Sequence, residues 1–343
     1  MKNNFNRRDF IKTAAVTGVG LGMTGSISSL YGKTNPQNAK RVGIIGLDTS
    51  HSIAFVKALN AASPDPVYKG YRVVAAYPKG SNDIESSVSR IPGYTDQVKE
   101  MGVEIVGSIA DLLKKVDVVL LETNDGRLHY EQALPVLKAG KRLFIDKPIS
   151  ASLSDAIAIF NASEKYKVPV FSCSSLRFME SAQEVAKGKV GKVLGADTYS
   201  PASLEKTHPD FFWYGIHGVE ILFTVMGLGC ESVVRVHTEG TDIAIGTWDD
   251  GRVGTFRGTR TGKHTYGGII HGEKGDVCLG EFGGYGSLLS EIITFFETGK
   301  VPVNPADTIE ICAFMEAADE SKRQNGAPVK IADVMQNAMS KLK

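Results

Sequence analysis

The stretch that decides the fold is KRVGIIGLDTSHSIAFVKALN, residues 40–60. Its first eight residues are almost continuously apolar, the pattern of a strand buried on both faces of a parallel sheet. Asp48, Thr49 and Ser50 follow, all side chains that cap helix N-termini. HSIAFVKALN then spaces its apolar residues for a helix. Strand, tight turn and helix open a dinucleotide-binding unit. The turn nevertheless departs from G-x-G-x-x-G, because Asp48 and His51 stand where the second and third glycines belong.

Reading onward, YRVVAAY (71–77), VDVVLLET (116–123), KRLFIDKP (141–148) and VPVFSCSS (168–175) are further strands. SIADLLKK, EQALPVLKAG and SDAIAIFNASEKY are helices between them, with Gly140 ending the second as a C′ residue. This alternation predicts a doubly wound, Rossmann-like parallel sheet. Such sheets bind ligands beyond the carboxyl ends of their strands. Those ends carry Leu47-Asp48-Thr49, Tyr77-Pro78-Lys79, Glu122-Thr123-Asn124, Asp146-Lys147-Pro148 and Ser174-Ser175.

Composition narrows the partners. Lys and Arg number 39 against 38 Asp and Glu, so no global field draws in nucleic acid or an anionic membrane. The four cysteines form no C-x-x-C pair, which argues against a zinc site or a redox dithiol. Near the start, Arg7-Arg8-Asp9-Phe10-Ile11-Lys12 precedes a short, weakly apolar stretch. It resembles a twin-arginine export signal. Residues 1–38 are therefore expected to be leader and linker, and the mature protein periplasmic with no stable membrane insertion. That route carries folded proteins, which suits a chain loaded with a cytoplasmic cofactor.

Four motifs in order carry a family resemblance. Asp146-Lys147-Pro148 resembles the E-K-P motif of the Gfo/Idh/MocA oxidoreductases. LETNDGRLHYEQALPVLKAGK resembles their T-P-N-x-x-H segment, with His129 in the histidine place. WYGIHGVEILFTVMG (213–227) resembles D-x-G-x-H-x-x-D, keeping Gly215 and His217, and GKVLGADTYSP (191–201) resembles the strand that opens their second domain. The resemblance implies a nucleotide-binding domain over 39–176. It also implies an α/β domain with an open, mostly antiparallel sheet over 177–304. A helical segment over 305–343 would pack back on the first domain. It further implies homo-oligomers, dimers or tetramers built through the second sheet.

The resemblance makes Lys147 the group that polarises a substrate hydroxyl and His217 the acid/base. Glu220, one helical turn on, is expected to orient His217. Trp213 stands in place of the family's first aspartate, and Asp210 is close enough to replace it. Arg177, His208, Trp213, Tyr214 and His217 are candidates to bind a carbohydrate, with Lys206 and Tyr266 behind them. His51, Asp48, His129 and His217 match no metal-ligand spacing, so no metal is expected.

A nicotinamide cofactor, NAD or NADP, would rest on Gly46, Leu47, Asp48, Thr49, Ser50, Tyr77, Lys79, Thr123, Asn124, Asp146 and Lys147. Asp48 conflicts with it. A carboxylate about 4 Å from a pyrophosphate costs about 4 kcal/mol at an effective dielectric of about 20. Asp48 could also cap the helix and take the donors that the pyrophosphate needs. On that reading Asp48→Gly raises dinucleotide affinity. No acidic residue ends the second strand for an adenosine ribose, whereas Lys79 and Ser81 would suit a 2′-phosphate. Three functions compete: an exported NAD(P)-dependent oxidoreductase acting on a sugar, polyol or glycoside; a redox-neutral glycoside-cleaving relative; and a sugar-binding accessory protein that has lost the dinucleotide.

Overall fold

Short apolar runs become a six-stranded parallel sheet in the computed structural model, which describes residues 41–342. The twin-arginine stretch lies outside the described residues. The strands are β1 (Arg41–Ile45), β2 (Arg72–Tyr77), β3 (Glu104–Ile105), β4 (Val118–Leu121), β5 (Arg142–Ile145) and β6 (Val170–Ser172). Their order is β3-β2-β1-β4-β5-β6. Helices α1 (Ser50–Leu59), α2 (Glu85–Glu100), α3 (Ile109–Leu113), α4 (His129–Lys138) and α5 (Leu153–Tyr166) connect them. The order reverses between β1 and β4, which opens a crevice at their carboxyl ends. Helix α2 escapes a periodicity reading because it buries only Ser87 and Val98 and carries Pro92 inside it.

The chain continues through α6 (Glu180–Ala186), β7 (Val193–Pro201), α7 (Ile216–Met226), β8 (Cys230–His237), β9 (Thr241–Trp248), β10 (Val253–Thr259), β11 (Gly267–Gly272) and β12 (Gly275–Cys278). Then come α8 (Gly286–Thr298), α9 (Pro305–Arg323), β13 (Val329–Lys330) and α10 (Ile331–Ser340). The second sheet runs β12-β11-β7-β10-β9-β8-β13, antiparallel except for the β7–β10 pair. The α/β class with two sheets is as the sequence predicts.

Two details differ from the expected segments. Helix α8 lies within the stretch assigned to the second domain, yet it packs on the first sheet. Its Leu288, Ile292, Phe295 and Phe296 share a core with Val42, Ile44, Phe144 and Phe171. Each such buried side chain contributes about 1.5–3 kcal/mol, enough to fix that helix. The segment after 305 does not simply return to the first domain. Helix α9 packs mainly on β8 and also on α5, and β13 extends the second sheet beside β8.

Helix α7 brings the second domain to the crevice. It can lie close to the second sheet because Gly218 has no side chain: a Cβ there would sit 2.2 Å from the Phe256 ring. Ahead of α7, Asp210 is held by Arg235 at 2.6 Å and by Lys322 at 2.7 Å. Arg235 is fully buried, also pairs with Asp242 and Asp319, and lies over the Phe211 ring at 4.1 Å. Asp210 therefore anchors the approach to α7 and does not replace a catalytic aspartate.

Candidate active site

The turn after β1 is tight. Gly46 has φ +89°, and a Cβ there would fall 2.5 Å from the Thr123 backbone nitrogen. The backbone N–H groups of Gly46 and Leu47 donate to the carbonyls of Tyr77 (2.9 Å) and Pro78 (3.2 Å). They belong to the sheet rather than to a ligand. Thr49, not Asp48, caps α1, its Oγ1 accepting from the Ser52 N–H at 3.4 Å.

Asp48 points elsewhere. Its Oδ1 accepts from the Asn124 N–H at 2.9 Å, and its Oδ2 accepts from the Ser81 N–H at 3.4 Å and from the Ser87 hydroxyl. Gly80 lies so close that a Cβ would meet Asp48 Oδ2 at 1.8 Å. Asp48 thus ties the β1 turn to the loops after β2 and β4. Burial raises its pKa, opposed by the Ser87 hydroxyl and the backbone donors. The expected contest between Asp48 and a pyrophosphate for the helix donors is not what the side chain does. Arg90, from the unforeseen α2, sets a cation beside the same turn and donates to the Asp48 carbonyl at 3.4 Å.

A cavity of about 170 Å³ opens at the crevice. Thr49, Ser50, His51, Arg90 and Asn124 form its wall on the first-domain side. Lys147, Ser175 and Leu176 line it from the same domain, Tyr214, His217 and Tyr266 line it from the second, and Phe282 and Tyr285 complete it. Lys147 and His217 come from different domains and meet here. Tyr214 lies between them: its ring centroid is 6.0 Å from Lys147 Nζ and 4.9 Å from the His217 ring. Its hydroxyl meets that of Tyr266 at 2.9 Å.

His217 is buried, and its Nδ1 lies 2.7 Å from Ser174 Oγ. Burial, then the Lys147 and His51 charges, push its pKa well below the usual histidine value. The ring is neutral near pH 7 and can accept a proton. Glu220 is not its orienting partner. Glu220 pairs with the Arg177 guanidinium and accepts from the Ser174 N–H at 3.2 Å. Arg177 is held there and is not among the cavity residues.

Other predicted residues also lie outside the cavity wall. His208 sits 3.3 Å from Asp125 and against Trp213, at a ring separation of 5.1 Å. Lys79 and Lys206 are exposed, and Tyr77 contributes its carbonyl to Gly46. Leu47 and Thr123 are buried under the turn, and both ring nitrogens of His129 face carbonyl oxygens, of Ile149 at 3.0 Å and Thr123 at 2.7 Å. Asp146 is buried with its Oδ1 3.0 Å from His51 Nδ1. His51 fills the third glycine's place with a ring that also packs on Tyr285 at 4.4 Å. Beside this pair Glu122 is wholly buried. Burial, then the Asp146 charge, drive its pKa up, while His51 and Lys147 outweigh burial and hold Asp146 down.

The sequence reading missed Arg90, Phe282 and Tyr285. The aromatics flank a Gly-Gly pair in EFGGYG, a local signal of a loop but not of a site. Arg90 gave no signal, since only the fold brings α2 to the turn.

The geometry is that of a two-domain dinucleotide-fold protein whose crevice is completed by its second sheet domain. Residues 19–173 match the Gfo/Idh/MocA family model, described as an oxidoreductase family with an NAD-binding Rossmann fold. The first domain is thus similar in sequence to the NAD-binding domain of the Gfo/Idh/MocA family. No curated protein matches it. Similar solved structures include a probable dehydrogenase from Thermotoga maritima, at 18% identity and TM-score 0.70, covering 86% of this chain and 99% of that one. A scyllo-inositol dehydrogenase from Lactobacillus casei with bound NAD(H) and scyllo-inositol has 17% identity and TM-score 0.68, with 86% and 99% covered. Myo-inositol 2-dehydrogenase from Lactobacillus plantarum has 17% identity and TM-score 0.70, with 85% and 99% covered. At these identities the likeness is one of fold.

The residues fit a nicotinamide dinucleotide. The Gly46 turn is kept, and Ser50 and His51, whose first-turn N–H groups no intrahelical carbonyl can satisfy, line the cavity together with Arg90. Thr49, Ser50, Arg90, Asn124 and Lys147 are the side chains placed to hold it.

Proposed function

We propose that the chain is an exported NAD(P)-dependent oxidoreductase acting on a hydroxyl of a sugar, polyol or glycoside. The observation that carries this reading is the meeting of Lys147 and His217 in one cavity that also reaches the N-terminus of α1 and Arg90. The bound dinucleotide supplies a hydride acceptor or donor. The protein's residues handle the proton. Lys147 directs its N–H donors at the substrate oxygen and stabilises the charge that develops there. His217 takes the hydroxyl proton on Nε2. For that, Nδ1 must carry the ring hydrogen and donate to Ser174 Oγ, so Ser174 sets the useful tautomer. Tyr214 and Tyr266 offer aromatic faces and hydroxyls suited to a polyhydroxylated ring.

The inositol dehydrogenases of similar fold make cyclic polyols and hexoses the first compounds to test. NADP is supported by Tyr77-Pro78-Lys79-Gly80-Ser81, which puts no acidic residue at the end of β2 and leaves Lys79 exposed. Export rests on Arg7 and Arg8; a twin-lysine leader should hold the protein in the cytoplasm. The activity test is reduction of added NAD or NADP with a panel of inositols, hexoses and glycosides. Wild type should turn over at least one, and His217→Ala should lose about 10²–10⁴-fold in kcat/KM. Equal turnover by His217→Ala removes that residue from the mechanism. Glycoside cleavage without net cofactor reduction would instead select the redox-neutral reading.

A further inference from the structure

We infer that His51, Glu122 and Asp146 form a binding site for one divalent metal cation beneath the crevice. The three residues come from separate elements: the first turn of α1 and the ends of β4 and β5. One ligand atom from each lies within 4.8 Å of the others, and all three side chains are buried. Proximity of acids alone would mean little. The second observation is that Glu122 is fully buried with neither carboxylate oxygen hydrogen-bonded, and Asp146 Oδ2 is buried and unpartnered as well. Buried polar groups are nearly always satisfied, so three orphaned oxygens in one place ask for a partner.

The chemistry of the donor set favours a cation over a polar ligand. Two carboxylates and an imidazole offer lone pairs and, when the acids are ionised, no strong donor. The 3.0 Å between His51 Nδ1 and Asp146 Oδ1 subtends about 90° at an ion about 2.1 Å from each. That is the angle of neighbouring positions in an octahedron, suited to Mn²⁺, Fe²⁺ or Zn²⁺ in mixed nitrogen and oxygen coordination. His51 and Lys147 line the cavity, so an ion has a way in from it. A metal here also gives a reason for a histidine in the place of the third glycine. The spacing along the chain hides the site, since residues 51, 122 and 146 match no ligand motif. This inference does not depend on the identity of the hydroxyl substrate or on a bound dinucleotide.

The test uses the purified full chain, without nicotinamide cofactor. Metal is measured by mass spectrometry as purified. After chelation and dialysis, Mn²⁺, Fe²⁺ (anaerobically) and Zn²⁺ are each titrated, with the melting temperature and the Mn²⁺ electron-spin signal as readouts. Wild type should bind about one ion per chain, and melting should rise by about 4 °C at a hundredfold excess over Kd. Glu122→Gln and, separately, His51→Gln should each weaken binding by roughly a hundredfold or more. If Glu122→Gln does not fold, His51→Gln carries the comparison. The inference is overturned if none of the three ions binds wild type, or if the folded variants bind as tightly as wild type. It is equally overturned if Glu122→Gln melts higher than a wild type that takes up no metal, which would mark a neutral buried carboxyl.

Discussion

At the residue scale, two side chains change the account most. Asp48 reads from the sequence as a charge facing a pyrophosphate. In the fold it is a buried tie accepting from Asn124, Ser81 and Ser87. Asp48→Gly should therefore not raise dinucleotide affinity; it should destabilise the fold by about 3 kcal/mol, because the lost bonds are to a carboxylate and leave donors buried. Thermal melting and cofactor titration of the variant check both halves. In the proposed function Arg90, beside the same turn, offers the cation for the dinucleotide, and Arg90→Ala should weaken its binding about tenfold, the loss of one charge-assisted contact. In the proposed mechanism His217 sets the pH dependence. Its pKa is depressed, so the acid limb of kcat/KM should lie below the usual histidine value of about 6.5. The sign for stability is the same: below about pH 6.5 the unfolded chain binds the proton that the folded chain refuses, so stability falls as pH drops toward the lowered pKa. Ser174→Ala should reduce kcat and move that limb, a shift that a purely structural role would not produce.

At the scale of elements, most of the first domain is legible in sequence because parallel strands buried on both faces are unbroken apolar runs. β1, β2, β4, β5 and β6 all fall inside such runs. Helix α9, Pro305–Arg323, falls inside the helical segment expected over 305–343. Helix α2 was illegible because little of it is buried, and with it went Arg90. The proposed catalytic pair, Lys147 and His217, was legible through Asp146-Lys147-Pro148 and Gly215-x-His217. Its supports were not: Glu220 sits one turn from His217 in sequence, yet its side chain is claimed by Arg177, and Ser174 reaches His217 from the first domain. Spacing along one helix cannot report a partner supplied by another element. Gly218 is the pivot of that helix. Gly218→Ala places a methyl 2.2 Å from the Phe256 ring, and should cost about 1–3 kcal/mol by overpacking. Lowered melting with a larger loss in kcat than in stability alone would explain is the expected signature of a displaced His217.

At the scale of the whole molecule, the second sheet has one face covered by α7 and α9 and an opposite face exposing Tyr199, Val236, Val253 and Ile269. Exposed apolar residues gathered on one sheet face favour self-association. Val236→Asp combined with Ile269→Asp should shift the protein to monomer in sedimentation; a wild type already monomeric at micromolar concentration would dismiss the interface. Among the described residues no helix is long and apolar enough to cross a membrane. Both domains build the crevice in which the dinucleotide is proposed to bind. The most direct test is to purify the protein from the compartment where it resides, denature it, and measure released nicotinamide dinucleotide by absorbance and mass. The protein should release NAD or NADP or, where it has lost the cofactor, show a melting temperature raised by added dinucleotide. No released dinucleotide together with no shift by NAD or NADP would contradict the proposed binding.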